Sequence, residues 1–445
     1  MKKTARLALW ALTFFFAAKT HSQHDSIRSF DSMPIDHAAK ARAYQLLFED
    51  NFSKAGKISK KDWLYRSNVK MGGMSLPENV LQGKAVDGSA KDCLLIRFTY
   101  DGSRPEGQQY LGGGVVSTHN FGYGYYEARV KLYGGNKEMA GLHQSFWSMG
   151  LTGTNEAEGK GVRDRLVEKG VIPKENRVLE VDGFEHNSIS DKLAQNYHIY
   201  TPTHKSEAPT PESINRDLSQ WITVAYEWLP DRINFYCDGK YISTKYLDGI
   251  WKVYAPQNLW LTALPVDVAG WGGLKKPLKN AAMQVDYVRF YGKVLPGVNR
   301  IGNACFDYAK AGNAYPTAWI VDPRSDSSAV GVVPEGIPLK SGKGYLFFKA
   351  DKTYSASVRQ SVEFIPDGSY TFGAWVKSSG GQKDASISVK SGNRKQVVPL
   401  RDSASWVKVI IPKVKVSNNQ AVIEISCKGR AGQWLIVDNV SFAND

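Results

Sequence analysis

From Leu46 onward the chain is a succession of short runs rich in Val, Ile, Tyr, Phe and Trp, each closed by Gly, Asp or Asn. Cys93–Tyr100, Tyr125–Leu132, Val178–Phe184, Ile222–Trp228, Arg232–Cys237 and Gln284–Tyr291 are such runs. β-Branched and aromatic side chains fit a pleated, half-buried surface, and the small polar residues supply the turns between strands. Strand-length runs at this spacing predict an all-β chain, with antiparallel sheets packed as a jelly-roll sandwich. Helical patterning is scarce. Its best example, Val162–Lys169, lies in a charged insertion between Gly150 and Asn176.

At 445 residues the chain exceeds what one ordinary core serves. Residues 292–300, Gly-Lys-Val-Leu-Pro-Gly-Val-Asn-Arg, have the composition of a connector. A second strand series follows: Tyr345–Lys349, Ser357–Phe364, Thr371–Lys377, Ala385–Lys390, Trp406–Ile411, Ala421–Cys427 and Trp434–Phe442. It predicts a second, smaller β-sandwich. The expected division is a leader over 1–22, an N-terminal segment 23–45, a jelly roll over 46–294, a linker over 295–300 and a sandwich over 301–445.

Lys2, Lys3 and Arg6 precede an apolar stretch from Leu7 to Ala18, with small polar residues around Thr20 and Ser22. A membrane-spanning helix needs about 20 apolar residues, so this stretch reads as an export signal cleaved near Ser22. The expected location is the medium, the periplasm or the cell surface, with no membrane span. The formal net charge of +14 is weighted toward the C-terminal part. That bias fits either solubility or attraction to an anionic surface or glycan. No basic run or nucleic-acid motif is present, so nucleic acid is not an expected partner. Cys93, Cys237, Cys305 and Cys427 permit two disulfides, with Cys93–Cys237 and Cys305–Cys427 the pairings to test first, or four buried thiols. No Cys/His cluster suggests zinc.

The most informative segment is Glu180-Val181-Asp182-Gly183-Phe184-Glu185. Side chains alternate along a strand, so Glu180 and Asp182 share a face and strict alternation sends Glu185 to the other. One extra residue, a β-bulge, returns Glu185 to its companions, and Gly183 is the residue type that tolerates it. Val178, Leu179, Val181 and Phe184 then supply a buried opposite face. Three acids on one face repel each other, a cost usually tolerated where it serves binding or catalysis. Two carboxyls about 5–5.5 Å apart are what retaining glycoside hydrolysis requires. The competing reading is a solvated edge strand with scattered acids.

With its surroundings this strand resembles glycoside hydrolase family 16, the laminarinase, lichenase, agarase and carrageenase clan, over roughly Leu46 to Lys293. Glu180 to Glu185 matches the bulged ExDxxE form of the family signature. Gly114–Thr118 with Tyr123–Lys131, Phe146-Trp147, Tyr226–Ile233 with Asp238-Gly239, and Val285–Tyr291 match four further segments in order. The resemblance implies Glu180 as nucleophile, Glu185 as general acid/base and Asp182 as the assisting residue. It places Trp147 and His198 along a glycan-binding groove, with Trp271 a further platform. It implies hydrolysis of internal β-linkages of a polysaccharide with retention, by a monomer that requires no cofactor. It leaves room for a structural calcium but assigns no catalytic metal. β-1,3- or mixed-linkage glucan is the first expected substrate and galactan, sulfated forms included, the second. A transglycosylase and a non-catalytic lectin are the alternatives. Two departures bear on the substrate: the insertion 151–176, and the absence of a Trp-Pro pattern before Glu180. Lys160, Arg163, Arg165 and Lys174 in that insertion suit a solvated loop or contacts to an anionic glycan. Gly368–Lys377 and Trp434–Phe442 resemble strands of carbohydrate-binding modules of the family 4 and 9 type, or of similar galactose-binding-like sandwiches.

Overall fold

The computed structural model describes residues 44–445 apart from 67–71, 87, 89–90, 135–140, 151–177, 191, 202–203, 208–211, 248–253, 270–272, 278–279, 308–315, 317 and 334–343. The leader, the helix expected at Val162–Lys169 with its neighbouring basic residues, and Trp271 lie outside the described residues. The chain is all-β, and its only described helical turns are the 3-10 segments Pro77–Asn79 and Ser327–Ala329.

The first sandwich pairs an eight-stranded with a ten-stranded sheet. The eight-stranded sheet runs in the order Lys240–Tyr246, Arg232–Cys237, Ile222–Trp228, Gly124–Lys131, Ala282–Lys293, Asp92–Arg97 and Val80–Lys84, with Tyr44–Asp50 also paired to Ala282–Lys293. The ten-stranded sheet runs His204–Glu207, Lys192–Thr201, Val178–Asn187, Leu142–Gly150, Gln257–Pro265, Tyr110–Ser117 and Trp63–Tyr65, with three short strands off this path. Alternate residues of both sheets meet in one core. From the ten-stranded sheet Phe146, Leu179, Val181, Phe184, Ile199, Leu259 and Leu261 enter it, and from the other Tyr126, Val130, Val224, Tyr226 and Phe290. The first strand begins at Tyr44, two residues before the expected start, because Tyr44 pairs with Lys293 at the far end of the closing strand.

A second sandwich of two five-stranded sheets has its own core around Trp319, Phe348, Tyr370, Phe372, Ile423, Val437 and Phe442. The stretch between the two is packed. Arg300 is 1% exposed, lies 5.5 Å over the Tyr123 ring, and donates to the Lys293 carbonyl at 2.6 Å. Asn299 donates to the Val440 carbonyl and accepts from the Phe442 amide, both at 2.9 Å. Phe364 of the second sandwich sets its ring 4.7 Å from Phe121 and 5.9 Å from Phe48 in the first core. A buried guanidinium is costly unless its donors find acceptors, and the Tyr123 and Lys293 carbonyls at the joint accept from its two terminal nitrogens.

All four cysteines stand as thiols. For Cys93 and Cys237 the reason is topological. They lie on the strands Asp92–Arg97 and Arg232–Cys237, and three strands of one sheet separate these. Neighbouring strands are about 4.8 Å apart, which puts the two Cα atoms well beyond the roughly 7 Å limit for a disulfide. Burial pushes the Cys237 thiol up to about 12.

Candidate functional site

The strand Val178–Asn187 lies between Leu142–Gly150 and Lys192–Thr201, and its register to both carries the expected irregularity. Against Leu142–Gly150, Asp182 faces Trp147 while Phe184, not Gly183, faces Phe146. Gly183 is therefore the extra residue. Leu179, Val181 and Phe184 point into the core, so Glu180, Asp182 and Glu185 share the sheet's outer face. Two features hold the bulge. Gln195 donates its side-chain N–H to the Gly183 carbonyl at 2.9 Å. A Cβ at position 183 would lie 2.9 Å from Phe146 Cδ1 and 3.0 Å from Tyr226 Cδ1, closer than side-chain carbons pack.

The three carboxyls have different surroundings. Glu180 is 8% exposed and sits directly across from His198. Asp182 is the most buried, and its Oδ2 is 3.1 Å from His198 Nε2. Glu185 keeps about a third of its side chain exposed (34%), with Oε1 3.3 Å from His143 Nε2. The structure thus brings Glu180, Asp182, Glu185 and His198 together as the sequence suggested. It adds His143, one register step from the acids, which sequence reasoning missed.

Trp147 faces Asp182 across one pairing and Trp260 across the other. The two indoles stack at 4.8 Å, and Trp147 Nε1 donates to Thr262 Oγ1 at 3.1 Å. The Thr262 hydroxyl also bonds Ser145 at 2.6 Å. The guanidinium of Arg66 lies 5.7 Å and 5.4 Å from the two rings. Cation–π contacts of this kind are worth about 0.5–2 kcal/mol and rise as water is excluded. Arg66, Trp260 and Thr262 were not singled out by the sequence. The alternation of Trp260 and Thr262 with the core residues Leu259 and Leu261 was the available signal. Arg66 follows the three-residue strand Trp63–Tyr65 and carried none. Its approach depends on Gly114, where a Cβ would come within 2.9 Å of Thr262 Cγ2 and 3.4 Å of Arg66 Cβ.

Beneath this face His186 is 1% exposed. Its Nε2 donates to the Ser190 carbonyl at 2.8 Å and its Nδ1 accepts from Gln144 Nε2 at 2.9 Å. Gln144 cannot flip to receive a proton, because its one side-chain oxygen already accepts the Tyr133 amide and its nitrogen donates to the Tyr133 carbonyl. Burial, with nearby His143 adding to it, pushes the His186 imidazole down to about 4 from 6.5. The native state therefore takes up this proton later than the unfolded chain. Stability present above pH 6.5 drains away as pH falls toward about 4. Comparing denaturant midpoints at pH 7.5 and pH 4.5, His186→Gln is expected to remove about 2.5 kcal/mol of the wild-type acid loss. An unchanged acid loss in the variant refutes this account.

No protein-family model matches the chain, and no curated protein does. Solved structures match parts of the chain. A Bacteroides ovatus mixed-linkage-glucan enzyme of glycoside hydrolase family 16, bound to its product, is 17% identical with a TM-score of 0.42, covering 55% of this chain and 99% of its own. A laminarinase from a Flavobacterium species is 18% identical with a TM-score of 0.41, covering 56% and 100%. The carbohydrate-binding module TmCBM61, bound to β-1,4-galactotriose, is 26% identical with a TM-score of 0.30, covering 34% and 100%.

Proposed function

We propose that the chain is a retaining endo-β-glycosidase of the glycoside hydrolase family 16 type. The observation that carries this reading is the Gly183 bulge, which turns Glu185 onto the face that Glu180 and Asp182 already occupy. A sheet with no use for three acids on one face gains nothing from a bulge that gathers them.

Glu180 is the nucleophile, attacking the anomeric carbon to form a glycosyl-enzyme intermediate. Glu185 first protonates the departing glycosidic oxygen and then takes a proton from the incoming water. Its partial exposure suits a group that exchanges a proton with solvent in every turnover, and His143 orients it. Asp182, held by His198, sits next to Glu180 and steadies its orientation. Its negative charge also favours the protonated form of Glu185, the proton donor. Trp147, braced by Thr262 and Trp260, lines the sugar face, as does His198.

The catalytic unit is taken as residues 46–294 and the accessory module as 301–445. The protein acts outside the cytoplasm as a monomer on a polysaccharide, with no cofactor required. β-1,3- or mixed-linkage glucan is the first substrate. Galactan bearing sulfate is the second reading, favoured by the Arg66 cation beside the Trp147–Trp260 stack.

Digestion of a polysaccharide panel, with mass spectrometry of the products and NMR of the first-formed anomer, tests the proposal. The expected outcome is internal cleavage of one β-glycan with β-configured new reducing ends. Products longer than the substrate would make the chain a transglycosylase. Binding without cleavage of any member would make it a lectin.

A further inference from the structure

We propose that Glu180, Asp182 and His198 also form a binding site for a borderline divalent transition cation such as zinc, and that an ion there blocks turnover. The blocking half rests on the glycosidase reading above; the binding half does not.

The three residues come from adjacent strands, with Glu180 directly opposite His198 and Asp182 two residues further along the same face. Each offers one ligand atom, and these atoms all lie within 4.8 Å of one another. Zinc bonds nitrogen and carboxylate oxygen at about 2.0–2.2 Å, so ligand atoms around one ion stand roughly 3.4 Å apart in a tetrahedron. Asp182 and His198 already meet this spacing at 3.1 Å. Glu180, with the longest and most adaptable of the three side chains, closes the remainder by rotation.

All three are more than nine-tenths buried, at 8%, 2% and 5% exposure. Little side-chain freedom is left to lose on binding, and two carboxylates offset the ion's charge. One imidazole with two carboxylates suits zinc, cobalt, nickel or copper. Calcium takes six to eight oxygens and has no use for the imidazole. The catalytic consequence follows from electron pairs. A cation on a Glu180 oxygen draws down that carboxylate's electron density and occupies the approach to the anomeric carbon, so ion and substrate compete.

The test uses the full chain after chelator treatment and dialysis. Cobalt(II) is added first, because a site of low coordination number gives visible ligand-field absorption. Zinc is then titrated calorimetrically and by displacement of the cobalt signal. The expected result is one tight site, weakened about tenfold or more in both His198→Gln and Asp182→Asn. His143→Ala, which leaves all three ligands in place, is expected to bind like wild type. Circular dichroism verifies that each variant is folded. Absence of stoichiometric binding, or binding that survives both ligand variants, overturns the site. Glycan cleavage that persists with the site saturated overturns the blocking role alone. Binding as expected in a chain that cleaves no glycan leaves the metal site standing and sinks the glycosidase reading.

Discussion

Glu180→Ala is expected to abolish glycan cleavage, and added azide is expected to restore a product whose anomeric configuration identifies the role of the missing carboxylate. With the nucleophile gone, a small anion can occupy its place and attack the sugar from the same side, giving an α-glycosyl azide in a single inversion. Glu185→Ala should behave differently. There the glycosyl-enzyme still forms on substrates with good leaving groups, and azide captures it from the opposite side to give the β-azide. Loss of an acid/base residue typically costs about 10²–10⁴-fold, and loss of the nucleophile is expected to cost at least as much. The Glu185 defect should shrink as the leaving group becomes more acidic, while the Glu180 defect should not. Two variants giving azides of the same configuration would show the roles to be misassigned. A Glu180→Ala protein that cleaves as fast as wild type would remove the mechanism altogether.

The second large effect is expected at a residue with no chemistry of its own. Gly183→Ala places a methyl group against Phe146 and Tyr226 at 2.9 and 3.0 Å. Both rings are buried in the main core, so neither can retreat without moving its neighbours. Overpacking of this kind costs roughly 1–3 kcal/mol of stability. The larger consequence is positional. The bulge can relieve the clash only by shifting, and a shift carries Glu185 away from His143 and from Glu180. Displacement by 1 Å can cost on the order of 10²-fold in rate. The expected signature is a kcat fall far larger than the stability loss explains, with KM for the glycan nearly unchanged. Gly183→Ala with wild-type kcat would show that the bulge does not set the position of Glu185. A matched control, Gln195→Ala, removes the hydrogen bond to the Gly183 carbonyl without adding bulk and should reproduce a weaker form of the same defect.

Much of this was legible in the residues themselves. Ile222–Trp228 and Arg232–Cys237 were read at their observed limits, because a Leu-Pro-Asp turn separates two runs of strand formers. The bulge was legible because three acids at that spacing can share a face only if the glycine between them breaks alternation. What stayed hidden depends on which strands become neighbours. His143 acquires meaning only once Leu142–Gly150 is known to lie beside the acids. Arg66 arrives from a short strand at the far end of the sheet path. The Cys93–Cys237 pairing fails for the same reason: strand order, not spacing along the chain, separates the two thiols. The packing of the connector was not legible, because Pro and Gly mark a change of direction and say nothing about whether the turn is solvated. Arg300, a residue type rarely buried, gave no sign that its guanidinium would be enclosed.

The enclosed joint has a mechanical corollary. With Phe364 packed against both Phe48 and Phe121, and Arg300 donating to carbonyls at the seam, the two sandwiches share a packed joint rather than a loose tether. The seam buries aromatic and cationic side chains that a solvated connector would leave wet. Severing the chain near Lys293 would leave a greasy socket open to water on the piece that keeps the carboxylates.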